Sequence, residues 1–325
     1  LEKSFPLYFG NEFLVKTLDY IWAPSLDIFQ IWVHLREPEI ITKNEVLSII
    51  SSIFDPLGLL GPVTVSVKAF MQLLHQLKIK WDVTLPAESI QTWVNLSREL
   101  SHLKSISIPR NVLTLLSSHR IEIHCFCDAS KTAYGAAIYV RTFKSGAVGS
   151  RLLCAKNRVA PLKEIDIARL ELCGALLVTQ LMNSVKNYLP PYTKVDLIRM
   201  WCDNQVVLCW LKSPYSRWVP FVANRVKKIQ EHKTLAIWDY VDTKFNPADL
   251  VTHGLKPQQL KDSKLWWNGP SFISENSTPF SSDVVFNPSS IQPLEVRRSR
   301  KFFMGAISVF QTDYFERFSS FLFLL

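Results

Sequence analysis

HCFCDASKTAYGAAIYVR (residues 124–141) joins two extended runs through a short polar turn. Side chains alternate across a strand with period two, so His124, Phe126 and Asp128 share one face and Cys125 and Cys127 the other. The first run ends on a bare carboxylate, Asp128. An unpaired buried charge is costly or shifts its pKa, so a carboxylate at the end of a central strand asks for a partner. A turn aspartate before Ala-Ser is the plain alternative. The rest of the chain decides between them.

Downstream, YGAAIYVR (134–141) and SRLLCAKNRV (150–159) continue as strand candidates, and RLELCGALLVTQLMNSVKNYL (169–189) is apolar almost all round, the pattern of a buried helix. VDLIRMWCD (195–203) predicts a fourth strand and NQVVLCWLK (204–212) a short helix. RWVPFVANRVKKIQEH (217–232) predicts a basic amphipathic helix, LAIWDYV (235–241) a fifth strand, and NPADLVTHG (246–254) a last short helix. This order predicts an α/β domain over residues 116–272, with a mixed five-stranded sheet and flanking helices.

Upstream, LDYIWAPSLDIFQIWVHL (18–35) reads as short strands around a Pro-Ser turn. Thr42 with Glu45 is a capping-box signature opening a helix, and DPLGLLGP (55–62) is a turn that stops it. VTVSVKAFMQLLHQLKIKW (63–81) starts with β-branched residues and turns helical. LPAESIQTWVNLSRELSHL (85–103) is a further helix, with Pro86 in its first turn, and SIPR (107–110) ends the module. The organisation expected is a leading segment 1–41, a helical module 42–115, the α/β domain, and a tail 273–325 with no assigned fold.

With 325 residues, 48% hydrophobic and 20% charged, the chain is globular in composition and has room for two domains. A net charge of +9 permits a polyanionic partner. The six cysteines fit no zinc-ligand spacing and read as buried free thiols in a reducing compartment. The N-terminus does not read as a signal peptide and does not begin with Met, which fits a piece of a longer chain. The apolar C-terminal stretch is interrupted by Asp313, Glu316 and Arg317, too broken for a membrane span.

Three more acids share the oddity of Asp128. Glu171 lies inside an apolar helical run, where helix capping cannot account for it. Asp203 ends a strand, and Asp249 opens a short helix; for both, capping and the helix dipole are the ordinary alternative. If the strands of Asp128 and Asp203 are neighbours, their ends lie at one edge of the sheet, where α/β ligand sites collect. Four clustered carboxylates need a counter-charge. Two Mg²⁺ ions (or Mn²⁺) about 4 Å apart would supply it and clamp both oxygens of a phosphodiester displacement. On this reading the cysteines stand apart from the site: Cys125 and Cys127 face away from Asp128, and Cys202 faces away from Asp203.

The order of elements and acids resembles a ribonuclease H domain. More specifically, residues 10–272 resemble the polyprotein of BEL/Pao-type LTR retrotransposons, through SIISSIFDPLGLLGPV, KIKWD, IPR, CDASKTAYGAAIYVR, AKNRVAPLK, ARLELCGALL, WCDNQVVLCWL, FVANRV, NPADL and LWWNGP. The resemblance implies the end of a reverse-transcriptase palm over 1–41, a thumb or connection region over 42–115, and an RNase H with Asp128, Glu171, Asp203 and Asp249 as its metal-binding catalytic acids. It also implies an intracellular setting in virus-like particles and a partner in the upstream polymerase region. Asn204 stands where the family has a small hydroxyl residue, Ala168 where it has Pro, and Thr252-His253-Gly254 where it has Ser-Arg-Gly. The stretch 242–246 lacks the histidine that many cellular RNases H use in product release, so slow turnover is expected. No Tyr-x-Asp-Asp motif is present, so DNA synthesis is not expected. No Asp-Thr/Ser-Gly triplet supports the peptidase label sometimes attached to this family.

An RNA/DNA hybrid would need basic residues to hold its phosphates. Candidates are Arg217, Asn224, Arg225, Lys227, Lys228 and Lys233 on the basic helix, Lys156, Arg158 and Lys163 in AKNRVAPLK, and Arg169 and Asn204 beside the acids. Trp201, Trp210, Trp218 and Trp238 read as core. Two readings remain open beside a nuclease: a non-catalytic nucleic-acid-binding remnant and, less favoured, an aspartic peptidase.

Overall fold

The structure, a computed structural model, describes residues 6–275 except 10–11, 18–19, 34, 36–38, 114–119, 190–193 and 233–235, together with 295–296. An antiparallel five-stranded sheet comes first: β1 (Pro6–Phe9), β2 (Glu12–Thr17), β3 (Tyr20–Ala23), β4 (Ile28–Ile31) and β5 (Ser107–Pro109). The predicted strands around Pro24-Ser25 are β3 and β4. The sheet is larger than the sequence reading, which took Ser107–Pro109 as a mere terminus; that strand pairs with β4, so Ile28 lies opposite Pro109.

Between β4 and β5 run α1 (Lys43–Ser51), α2 (Gly61–Gln76) and α3 (Ala87–Leu100). Thr42 caps α1 as expected, its hydroxyl accepting from the Glu45 N–H at 3.2 Å. Asp55 closes the Pro/Gly turn by accepting from the Leu59 and Leu60 N–H groups, each at 2.8 Å. Helix α2 then starts at Gly61, ahead of the β-branched run that suggested extended chain. Val63, Val65 and Val67 are buried there, and their packing overrides an intrinsic preference worth only tenths of a kcal/mol.

The second sheet contains β6 (Arg120–Ala129), β7 (Ala133–Lys144), β8 (Ala147–Val159), β9 (Leu197–Cys202) and β10 (Ile237–Tyr240), in the order β10-β9-β6-β7-β8. Pairs β6–β7 and β7–β8 are antiparallel, and β6–β9 and β9–β10 parallel. This is the mixed five-stranded sheet of an RNase H-like fold. Helices α4 (Ile167–Tyr188), α5 (Gln205–Lys212) and α6 (Pro220–Glu231) share a buried apolar cluster with the inward residues of one face, among them Cys125, Cys127 and Cys202. The opposite face carries Phe126, Tyr139 and Trp201, which belong to a cluster shared with α1, α2 and the segment from α7 (Asp249–His253) through α8 (Pro257–Lys261), α9 (Lys264–Asn268) and α10 (Ser271–Ser274). Trp201, Trp210 and Trp218 are buried and Trp238 is half-buried, as the core reading requires.

The helical segment is fastened to the second sheet at β8. The Ala155 N–H donates to Leu57 O at 2.8 Å and Lys68 Nζ to Asn157 Oδ1 at 2.7 Å, and beside them Trp266 Nε1 of α9 donates to Leu59 O at 2.9 Å. Gly58 sits at φ +70° where any Cβ would fall 1.9 Å from Ala155 O, so only glycine permits this approach. The six cysteines are free thiols, five buried and Cys173 half-buried. Among the described residues no helix is long and apolar enough to cross a membrane. The C-terminal apolar stretch, Lys233 and most of the link before β6 lie outside the described residues.

Candidate active site

Strands β6 and β9 are parallel neighbours with Cys127 opposite Cys202, so the next residue along each, Asp128 and Asp203, lies at the same edge of the sheet. Helix α4 crosses this edge. Its Gly174 carries no Cβ, and one placed there would stand 2.9 Å from Asp128 O. The close approach lowers Glu171, one turn earlier on the same helix face, onto the strand ends. Asp249 arrives from the other side on α7, anchored by Asn246 Nδ2 donating to Cys127 O at 3.0 Å and Ser130 Oγ to Thr252 O at 3.0 Å. The structure thus brings Asp128 together with Asp249, and Glu171 with Asp203, and sets Asp128 near enough to Asp203 for their charges to interact.

Capping does not explain Asp203. The side chain that caps α5 is Asn204, whose Oδ1 accepts from the Val206 and Val207 N–H groups at 3.0 and 3.2 Å. Asp203 instead accepts from Thr243 Oγ1 at 3.0 Å through Oδ2, while its Oδ1 is buried with no hydrogen-bond partner among the described residues. Glu171, 6% exposed, likewise has its Oε2 buried with no hydrogen-bond partner among the described residues. Asp128, 3% exposed, accepts from the Thr252 hydroxyl.

Electrostatics records the crowding. Burial, then the neighbouring Cys202, Asp128 and Asp203, pushes Glu171 up to about 11. Burial and Asp203 push Asp128 up to about 6, with Asp249 adding to the rise and the Thr252 hydroxyl opposing it. Burial raises Asp203 too, against the pull of the Thr243 and Asn246 side chains. The carboxylates are thus packed more tightly than their negative charge allows.

Two donor groups result, with one ligand atom from each residue lying within 4.8 Å of the others: Asp128, Asp249 and His253, and Glu171, Cys202 and Asp203. The second corrects the expectation that Cys202 stands apart. Its side chain packs on the face that α4 covers, and the thiol there lies within 4.8 Å of a carboxylate oxygen of both Glu171 and Asp203. Thr252 and His253 were missed as partners of the acids. Their signal was helical spacing, three and four residues beyond Asp249, which puts all three on one face of a turn.

The predicted phosphate contacts lie apart from one another. Arg217, Asn224, Lys227 and Lys228 are exposed on or before α6, whereas Arg225 lies half-buried 3.5 Å over the Phe221 ring. Arg169 also faces that ring and holds Glu295 through Nε at 3.0 Å and Nη2 at 2.9 Å. Lys156 and Arg158 are exposed on β8, the edge strand farthest from β10, and Lys163 is exposed beyond its end.

Residues 42–204, half of the chain, match the model of the Pao retrotransposon-like RNaseH-like domain. The chain belongs to this family. Three of the acids of this Pao domain, Asp128, Glu171 and Asp203, lie inside the match, and Asp249 lies beyond it. A comparison with curated proteins gave no match. Among solved structures, the chain is similar to the N-terminal RNase H domain of a Mycobacterium tuberculosis protein fused to maltose-binding protein, with TM-score 0.28 and 11% identity over 39% of this chain and 85% of that one. It is also similar to LC11-RNase H1 in complex with RNA/DNA hybrid, with TM-score 0.28 and 12% identity over 39% and 88% of the two chains. A foamy viral protease-reverse transcriptase in complex with RNA/DNA hybrid aligns over 71% of the Pao chain and 29% of its own, with TM-score 0.42 and 11% identity.

Proposed function

We propose that this domain is a divalent-metal-dependent ribonuclease that hydrolyses the RNA strand of RNA/DNA hybrids. The observation that carries the reading is the pair of orphaned oxygens, Glu171 Oε2 and Asp203 Oδ1, buried inside a cluster of four acids. A buried acceptor without a donor is rare in a folded protein, and two of them on neighbouring acids fit a bound cation better than chance packing. Asp128, Glu171, Asp203 and Asp249 would hold the metal, two Mg²⁺ or Mn²⁺ ions on this reading. When bound, the metal would supply charge for an attacking water and for the leaving oxygen of a phosphodiester.

The chain's own residues position this chemistry. Thr243 and Asn246 orient Asp203, Thr252 fixes Asp128, and Asn204 holds the start of α5 so that Asp203 stays at the strand end. Arg217, Asn224, Lys227 and Lys228 would track one phosphate backbone along α6, and Lys156 and Arg158 would meet a separate stretch of it at β8. Contacts to phosphates and 2′-hydroxyls select the RNA strand by shape, with little sequence preference. The leading segment and helices, as the end of a polymerase palm and its connection, would join the domain to a reverse-transcriptase region of the same polyprotein inside a virus-like particle.

Incubating the protein with an end-labelled RNA/DNA hybrid and Mg²⁺ tests the reading. Cleavage of the RNA strand alone is expected, reduced at least about 100-fold in Asp203→Asn. Salt-sensitive binding without cleavage would reduce the protein to a nucleic-acid-binding remnant.

A further inference from the structure

His253 lies at the first donor group although nothing about the four acids requires it. Its Nδ1 stands 3.0 Å from Asp249 Oδ1, 3.2 Å from Thr252 Oγ1 and 3.3 Å from the Asp249 carbonyl oxygen. Three oxygens thus converge on one ring nitrogen, and a single N–H proton can serve one of them well. The Thr252 hydroxyl directs its proton at Asp128 and the Asp249 carbonyl, so toward the imidazole its oxygen can only accept. One ring nitrogen of His253 and one carboxylate oxygen each of Asp128 and Asp249 fall within 4.8 Å of one another. Adjacent ligands on an octahedral ion with bonds of about 2.1 Å stand about 3 Å apart, which matches the spacing of Nδ1 and Asp249 Oδ1. The imidazole is 60% exposed, so an ion can reach it from solvent without opening the core.

We propose that His253 is a nitrogen ligand to the ion held by Asp128 and Asp249, and that it tilts this site from Mg²⁺ toward Mn²⁺. The inference rests on the nuclease reading above and specifies the metal chemistry of the same site. Mg²⁺ is a hard ion that prefers oxygen, whereas imidazole favours first-row transition ions. Cys202 in the second donor group does not play the same part. Its sulfur accepts from the Asn204 N–H at 3.4 Å and is sealed in the core beneath α4.

The test is pulsed EPR on the full chain loaded with Mn²⁺ alone, with His253→Ala beside the wild type. Electron spin-echo modulation from a directly bound imidazole ¹⁴N is expected in the wild type and absent from His253→Ala. The variant should also lose Mn²⁺ affinity by about tenfold while Mg²⁺ affinity, read by competition, changes by less than about twofold. Mn²⁺ bound without nitrogen modulation, or modulation that survives in His253→Ala, would overturn this inference and leave the nuclease reading intact. Mg²⁺ bound by the wild type without Mn²⁺ would overturn this inference alone, and neither ion bound would overturn both.

Discussion

At the scale of single residues, the site disfavours the ionised carboxylates, which either a proton or a bound cation relieves. Glu171 is held up at about 11 and Asp128 at about 6, above the ordinary values of 4.5 and 3.8. The folded protein therefore binds more protons than the unfolded chain over this range. For such groups the contribution to stability is fully present at low pH and is lost as pH rises through the folded values. The metal-free protein should lose thermal stability between pH 5 and 8. In Glu171→Gln, which needs no proton to be neutral, the fall should be shallower and the midpoint at pH 8 higher by roughly 3 °C or more. Scanning calorimetry in EDTA reads both. A variant less stable than wild type at pH 8 would mean that Glu171 is satisfied in the fold. The acids themselves were legible in the sequence, because strand alternation and an apolar helix make a stray carboxylate conspicuous. Thr252, His253 and Cys202 were not, since a helical spacing over one short turn and a thiol beneath a helix gain meaning only once the neighbouring chain is in place.

At the scale of elements, the approach of α4 to β6 decides whether Glu171 reaches the strand ends. Gly174 is the point of contact, so Gly174→Val should push the helix outward. The expected cost is about 1–3 kcal/mol of stability together with weakened metal binding, while exposed substitutions on α6 leave metal binding unchanged. Isothermal titration with Mn²⁺ separates the two effects. Unchanged affinity in a folded Gly174→Val protein would show that helix and strand need not touch. Long or strongly patterned elements such as α4, β6 and β9 could be read from the chain alone. The three-residue strand Ser107–Pro109 could not, because its pairing with β4 is set by contacts made about 80 residues away in sequence. The start of α2 was obscured for a related reason: valines that prefer strands are held in a helix by the core they enter.

At the scale of the whole molecule, the helical segment and the second sheet share one apolar cluster running from Val46, Leu60 and Leu74 to Phe126, Tyr139, Trp201 and Trp266. The composition suggested room for separate domains, and the turn at Leu57–Leu59 shows how a loop can fuse them across the edge of β8. Residues 42–275 should unfold in one cooperative transition. Leu60→Ala should lower that single midpoint, at a cost of about 2–5 kcal/mol, without splitting it in two. Two resolved transitions would show that the sheet folds without the helices.

Divalent metal held between Asp128, Glu171, Asp203 and Asp249 would show itself in the thermal midpoint measured with and without the ion. Binding to the folded state alone must stabilise it, by about 2.7 kcal/mol at a hundredfold excess over Kd. A dose-dependent rise with Mg²⁺ or Mn²⁺ that disappears in Asp128→Asn is the predicted result. No rise in the wild type, or an equal rise in Asp128→Asn, would contradict the account.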